Sequence, residues 1–193
     1  MKKLIAFAMT VVMVFTLAAC GGKAEAPATE PSTEPSVEVP GSALEILETV
    51  WALYGEDEKF PVIGGDMVNM VDGAPGTYGL EDTESLAYQL LVPTEQAANI
   101  DEAASLFHGM MLNNFTCGAF HVTSDASAFA DAMVEAVKNN QWMCGMPESM
   151  LVVIIGGEYV VMAFGINDAM TPFTAKLQQA YPDAVTVSSE AVA

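Results

Sequence analysis

The sequence predicts an α+β domain: an antiparallel-dominated sheet of about four strands, with helices packed on one face. Three observations carry that expectation. A capping box opens an amphipathic run at Ser42, a glycine pair at Gly156-Gly157 divides two apolar runs, and segments at helical spacing alternate with segments at strand spacing between them.

Before that domain the chain reads as an address. Lys2 and Lys3, an apolar run from Leu4 to Phe15, and the small residues Ala18 and Ala19 before Cys20 form the three parts of a secretory signal. The apolar run is too short for a spanning helix, and Gly21 and Gly22 follow with no basic flank. Residues 1–19 are therefore expected to be a removed signal peptide. The run Leu17-Ala18-Ala19-Cys20 resembles the bacterial lipobox, which implies that Cys20 is diacylated and becomes the mature N-terminus. Residues 20–41 continue as the lipidated cysteine and a Pro/Glu/Ser/Thr spacer, in which Thr29-Glu30-Pro31-Ser32 recurs at Thr33-Glu34-Pro35-Ser36. Such a composition cannot form a core. It spans about 25 Å as a coil and at most about 65 Å in polyproline geometry.

Residues 42–193 have the length of one ordinary domain. Ser42-Ala43-Leu44-Glu45 caps a helix over 43–54, with Leu44, Leu47, Trp51 and Tyr54 on one side and Gly55 at its end. Residues 60–79 are rich in Gly and Pro and read as loop with short elements. Leu86, Tyr88, Leu90 and Val92 alternate as in a strand, and Pro93 stops it. Ile100, Ala103, Ala104, Phe107, Met110 and Met111 stand at helical spacing, predicting a helix over 95–112. Phe115 to Val122 reads as a strand, and Ser124 or Asp125 as the N-cap of a helix burying Phe129, Met133 and Val137. Met150 to Ile155 and Glu158 to Phe164 form a hairpin on the two glycines. Met170, Phe173, Leu177 and Tyr181 mark a last helix, with Pro172 placed in its first turn, and Val185 to Val187 adds an edge strand.

The chain carries 25 acidic against 6 basic residues, a formal net charge of −19, and no arginine. So acidic a surface repels phosphate backbones and anionic headgroups, and without a guanidinium fork it has little means to read them. A nucleic-acid partner is excluded on that ground. The partners expected are the membrane, through the lipid on Cys20, and an envelope protein or a cationic peptide.

Tyr78-Gly79-Leu80-Glu81-Asp82, the segment from Phe120 to Val137, and Gly157-Glu158-Tyr159-Val160-Val161 resemble a family of Gram-positive lipoproteins whose domain has no assigned function. Members are sometimes labelled bacteriocin transport accessory proteins. The resemblance implies a partner in export and brings no catalytic residue with it.

Candidate chemistry is sparse. Cys117, His121, Met143, Cys144 and Met146, with His108, Met110 and Met111, are soft donors of the kind Cu(I) takes, or thiols for redox work. Met133, Met110 and Met111 equally suit a buried stripe. Cys117 and Cys144 could pair in an oxidising compartment or remain as two small apolar thiols. Asp66, Asn69 and Asp72, with Asp57 and Glu58 near in sequence, are oxygen donors for Ca²⁺, but their spacing is not that of an EF-hand. His121, Ser124 and Asp125 are chain neighbours, whereas a triad converges from distant segments. No nucleophile elbow, zinc-protease motif or phosphate loop occurs. The expectation is a cofactor-free, non-catalytic binding or accessory lipoprotein on the extracytoplasmic face of the cell membrane.

Overall fold

The computed structural model describes residues 39–192. Cys20, the signal and most of the spacer lie outside the described residues.

Ser42 starts the first helix, α1 (Ala43–Ala52), through its hydroxyl, which accepts from the Glu45 amide at 3.1 Å. The Glu45 carboxylate reaches back one residue further than a capping box requires, accepting from the Gly41 amide at 2.8 Å. Three short strands follow, β1 (Val62–Gly64), β2 (Val71–Asp72) and β3 (Gly76–Thr77). Next come α2 (Thr83–Gln89), β4 (Ile100–His108) and β5 (Phe115–Val122). The chain ends with α3 (Ala126–Asn139), β6 (Ser149–Ile155), β7 (Tyr159–Gly165), α4 (Asn167–Ala180) and β8 (Val185–Ala191).

The eight strands form one antiparallel sheet in the order β2-β1-β4-β5-β7-β6-β8, and β3 pairs with β4 on the same edge as β1. The α+β class and the antiparallel sheet agree with the sequence. The strand number does not: there are eight rather than about four, because residues 60–79 contribute three short strands and residues 100–108 a long one.

Nor do the helices keep to one face. Phe115, Cys117 and Ala119 of β5 pack with Ile46, Leu47 and Val50 of α1 and with Phe173 and Leu177 of α4. Phe120 of β5, with Val160 and Met162 of β7, packs instead with Leu86 of α2 and Phe129, Met133 and Val137 of α3. The reason is visible in β7, where all seven residues are buried. A strand apolar on both faces must be covered on both.

Two elements exchange type. Residues 83–89 are a helix because Asp82 caps it, its carboxylate accepting from the Ser85 amide at 3.0 Å and hydroxyl at 2.8 Å. Leu86 and Leu90, one turn apart, are buried while Tyr88 between them is 79% exposed. Residues 100–108 are a strand preceded by a 3₁₀ helix over Thr94–Asn99, and Ala103 through Phe107 are buried without interruption. The helix over 126–139 and the hairpin form as expected. Gly156 and Gly157 take φ of 62° and 83°, the left-handed values that a two-residue turn needs. In α4, Pro172 is the sixth residue rather than part of the first turn, so it removes the bond an amide there would donate to the Asp168 carbonyl. The Glu148 carboxylate accepts from the Asn167 amide at 2.7 Å and supplies the start that Ile166 cannot cap.

Candidate functional site

The antiparallel strands give the domain two ends, about 20 Å apart along the seven residues of β7. Each gathers a different chemistry.

One end carries the start of β4, the end of β5 and the β6–β7 turn. His121, registered against Glu102, lies with its Nδ1 2.5 Å from Asp101 Oδ1 and its Nε2 3.8 Å from Glu158 Oε2. The hydrogen bond to Asp101 raises the imidazole pKa above its ordinary value; burial opposes this, and the Asp101, Glu158 and Glu102 charges add to it. Beside this group a cleft of about 450 Å³ lies between Ser42–Leu44, Thr77–Glu81 and Asp101–Ala103. Its carboxylates are partly engaged, for Asp101 faces His121 and Glu102 accepts from the Ala43 amide at 3.1 Å. The chain enters the domain at this same end, where Val39 packs over Gly156.

At the other end lies an uncharged cleft of about 190 Å³ between the end of α2, the β4–β5 connection and the loop after α3. Phe164 and Trp142 meet edge to face with ring centroids 4.9 Å apart, and Tyr88, Leu91, Leu112 and Met143 line the remainder. The side-chain amide of Asn113 holds the walls together, donating to the Met143 carbonyl at 2.8 Å and the Gly145 carbonyl at 2.6 Å. Trp142 has a buried indole N–H with no hydrogen-bond partner. Around this end Tyr88, Met110, Met111, Leu112, Met143 and Met146 are all exposed. Met110 and Met111 therefore do not sit on a buried stripe, although Met133 does.

The soft donors named from sequence do not converge. Cys117 is buried on the α1/α4 side of β5, His121 is four residues further along at the acidic end, and Met143, Cys144 and Met146 stand in the loop at the uncharged end. Cys117 and Cys144 are free thiols, one buried and one exposed, and are not joined in a disulfide. Burial pushes the Cys117 thiol pKa well up, so it stays protonated.

Two of the loop carboxylates, Asp66 and Glu58, are likewise committed to structure. Asp66 accepts from the amides of Val68, Asn69 and Gly79, each at 2.7 Å. Asp72 lies in β2 opposite Ile63, and Glu58 is engaged by the Gly55 amide and Lys176 at 2.8 and 2.9 Å. Among the described residues no group of three or more His, Cys, Asp or Glu is placed to hold a metal ion, and no helix is long and apolar enough to cross a membrane.

The uncharged cleft was missed in the sequence because its lining comes from four separate segments. One signal was available: Met110-Met111-Leu112 and Trp142-Met143 are apolar runs that adjoin Asn-rich breaks, where a buried stripe would be interrupted. Comparison with family models, curated proteins and solved structures finds no match.

Proposed function

We propose that the chain is a lipid-anchored extracytoplasmic lipoprotein whose α+β domain acts as a non-catalytic binding or accessory module at the cell envelope. The lipobox-like Leu17–Cys20 and the spacer after it support the anchor. The observation that carries the binding role is the placement of exposed apolar side chains. Tyr88 and Met143, each about four-fifths exposed, line the uncharged cleft at the end opposite Val39, where the spacer joins. Scattered surface apolar residues are ordinary, but exposed ones that line a shared cleft mark an interaction site. Methionine suits such a surface, since its flexible thioether adapts to a partner's shape.

Photo-crosslinking on intact cells tests this. A photoreactive residue at Tyr88 should give a discrete adduct in the membrane fraction, and one at Gln178 on α4 should not. A chain recovered from the cytosol, or substrate turnover by the purified protein, would contradict it.

A further inference from the structure

The uncharged cleft has features that narrow what it takes. At about 190 Å³ it is smaller than the roughly 300 Å³ at which small-molecule and cofactor pockets begin. It holds one large side chain and little more. No lining residue carries a formal charge, in a chain whose net charge is −19. A carboxylate or ammonium entering it would lose water without gaining a counter-charge. The rim bears the amides of Asn140 and Gln141, each able to donate and accept, as the main chain of an extended peptide requires.

The backbone at the cleft is also unusual. Leu91 and Cys144, with φ of 54° and 63°, are the two non-glycine residues in the left-handed region among those described. Leu91 lines the cleft, and Cys144 follows Met143 in its wall. At Leu91 this is how α2 ends: the residue after the Leu90 cap turns left-handed and the Val92 amide donates back to the Leu86 carbonyl at 3.4 Å, which sets this wall of the cleft.

Other occupants fit less well. A lipid surface would be met by basic side chains flanking the apolar ones, but Lys138, the basic residue closest in sequence to the cleft's Asn140–Met143 wall, is paired with Glu190 at 2.8 Å. A second copy would bring together two chains of strongly negative charge.

From this we infer that the cleft is a docking site for an extended, uncharged segment of a partner protein that inserts one large apolar side chain among Tyr88, Trp142 and Met143. The inference rests on the binding-module reading and names the partner's chemistry.

The test is a titration of the full-length chain in phosphatidylcholine nanodiscs, followed by NMR of the Trp142 indole N–H and the methionine methyls. The probes are acetyl-Ala-Ala-Phe-Ala-Ala-amide and its all-alanine counterpart. Burial of the phenyl ring predicts saturable shifts at Trp142 and Met143, with the all-alanine peptide about tenfold weaker or worse. Met143→Asp, at an exposed position, should remove the shifts while the His121 signals stay unchanged. Equal responses to both peptides, or shifts that survive Met143→Asp, would overturn the docking site. So would shifts produced by phosphatidylglycerol vesicles alone or by raising the protein concentration alone. Such a failure, with lipid still present on Cys20 and a partner crosslinked elsewhere, leaves the module reading standing; loss of the lipid removes that reading instead.

Discussion

His121 on β5 and Asp101 at the start of β4 are hydrogen-bonded, with Nδ1 and Oδ1 2.5 Å apart, beside the bulge where the β4–β5 register shifts between Ile100 and Glu102. The pair ties an irregular part of the sheet to a regular one. Because the hydrogen bond to Asp101 raises the imidazole pKa in the folded protein, its stabilisation is complete below the unfolded value of about 6.5 and is lost as pH rises through the folded value. Titration of the His121 ring protons should give a midpoint above 6.5, and Asp101→Asn should bring it down. Denaturant unfolding should show a decline in stability over the same interval that His121→Gln abolishes. A wild-type midpoint at or below 6.5 would show that the pair does not form.

Asp66 predicts the opposite limb. Burial raises its pKa, but the amides of Asn69, Gly79 and Val68 outweigh burial and hold the carboxyl below its ordinary value. The stability this contributes is present above the unfolded value of about 3.9 and disappears as pH falls through the folded one. Asp66→Ala should cost about 1–3 kcal/mol by urea unfolding at neutral pH, since it strands the amides of a tightly turned loop. A change below about 0.5 kcal/mol would mean that water replaces the carboxylate there.

The methionines divide into two groups that unfolding experiments can separate. Met162, fully buried in β7, should cost about 2–5 kcal/mol when changed to alanine. Met110, 81% exposed, should cost no more than about 0.5 kcal/mol. Phe115, buried between the rings of Phe60 and Phe173 with centroids at 5.4 and 5.1 Å, sets the upper end, about 3–5 kcal/mol as Phe115→Ala. Similar losses at Met110 and Met162 would contradict the exposed surface at the uncharged end.

In a Cys20→Ser chain, thiol titration should find one reactive group in the native protein and two after unfolding. The fast one is Cys144, exposed in its loop, and the slow one Cys117, held protonated in the core. No thiol in either state would establish a disulfide.

Segments with one buried face, or a turn of fixed chemistry, were legible from sequence: α1, α3, α4 and the hairpin on Gly156-Gly157. The exchange at 83–108 has a physical cause. In α2 the helix is seven residues long and buries little besides Leu86, so Leu86, Tyr88 and Leu90 mimic the alternation of a strand. In β4 both faces are covered, so Ala103, Ala104, Leu106 and Phe107 lose the alternation of a strand and fall at helical spacing. The Asp82–Ser85 cap was the local sign that could have decided the first of these. Misreading β4 removed a central strand, whereas the sign of a second covered face, the unbroken apolar run of β7, was already present in the expected hairpin. The cleft was illegible for a related reason, since Leu91, Leu112, Trp142 and Phe164 meet only once that topology is known.

The account depends most on where the domain is held. Intact mass spectrometry of the native protein from the membrane fraction examines this directly. A chain lacking its first 19 residues, with a diacylglycerol thioether on Cys20, is the predicted result. A chain that keeps Met1, or that carries a free thiol at Cys20, would contradict it.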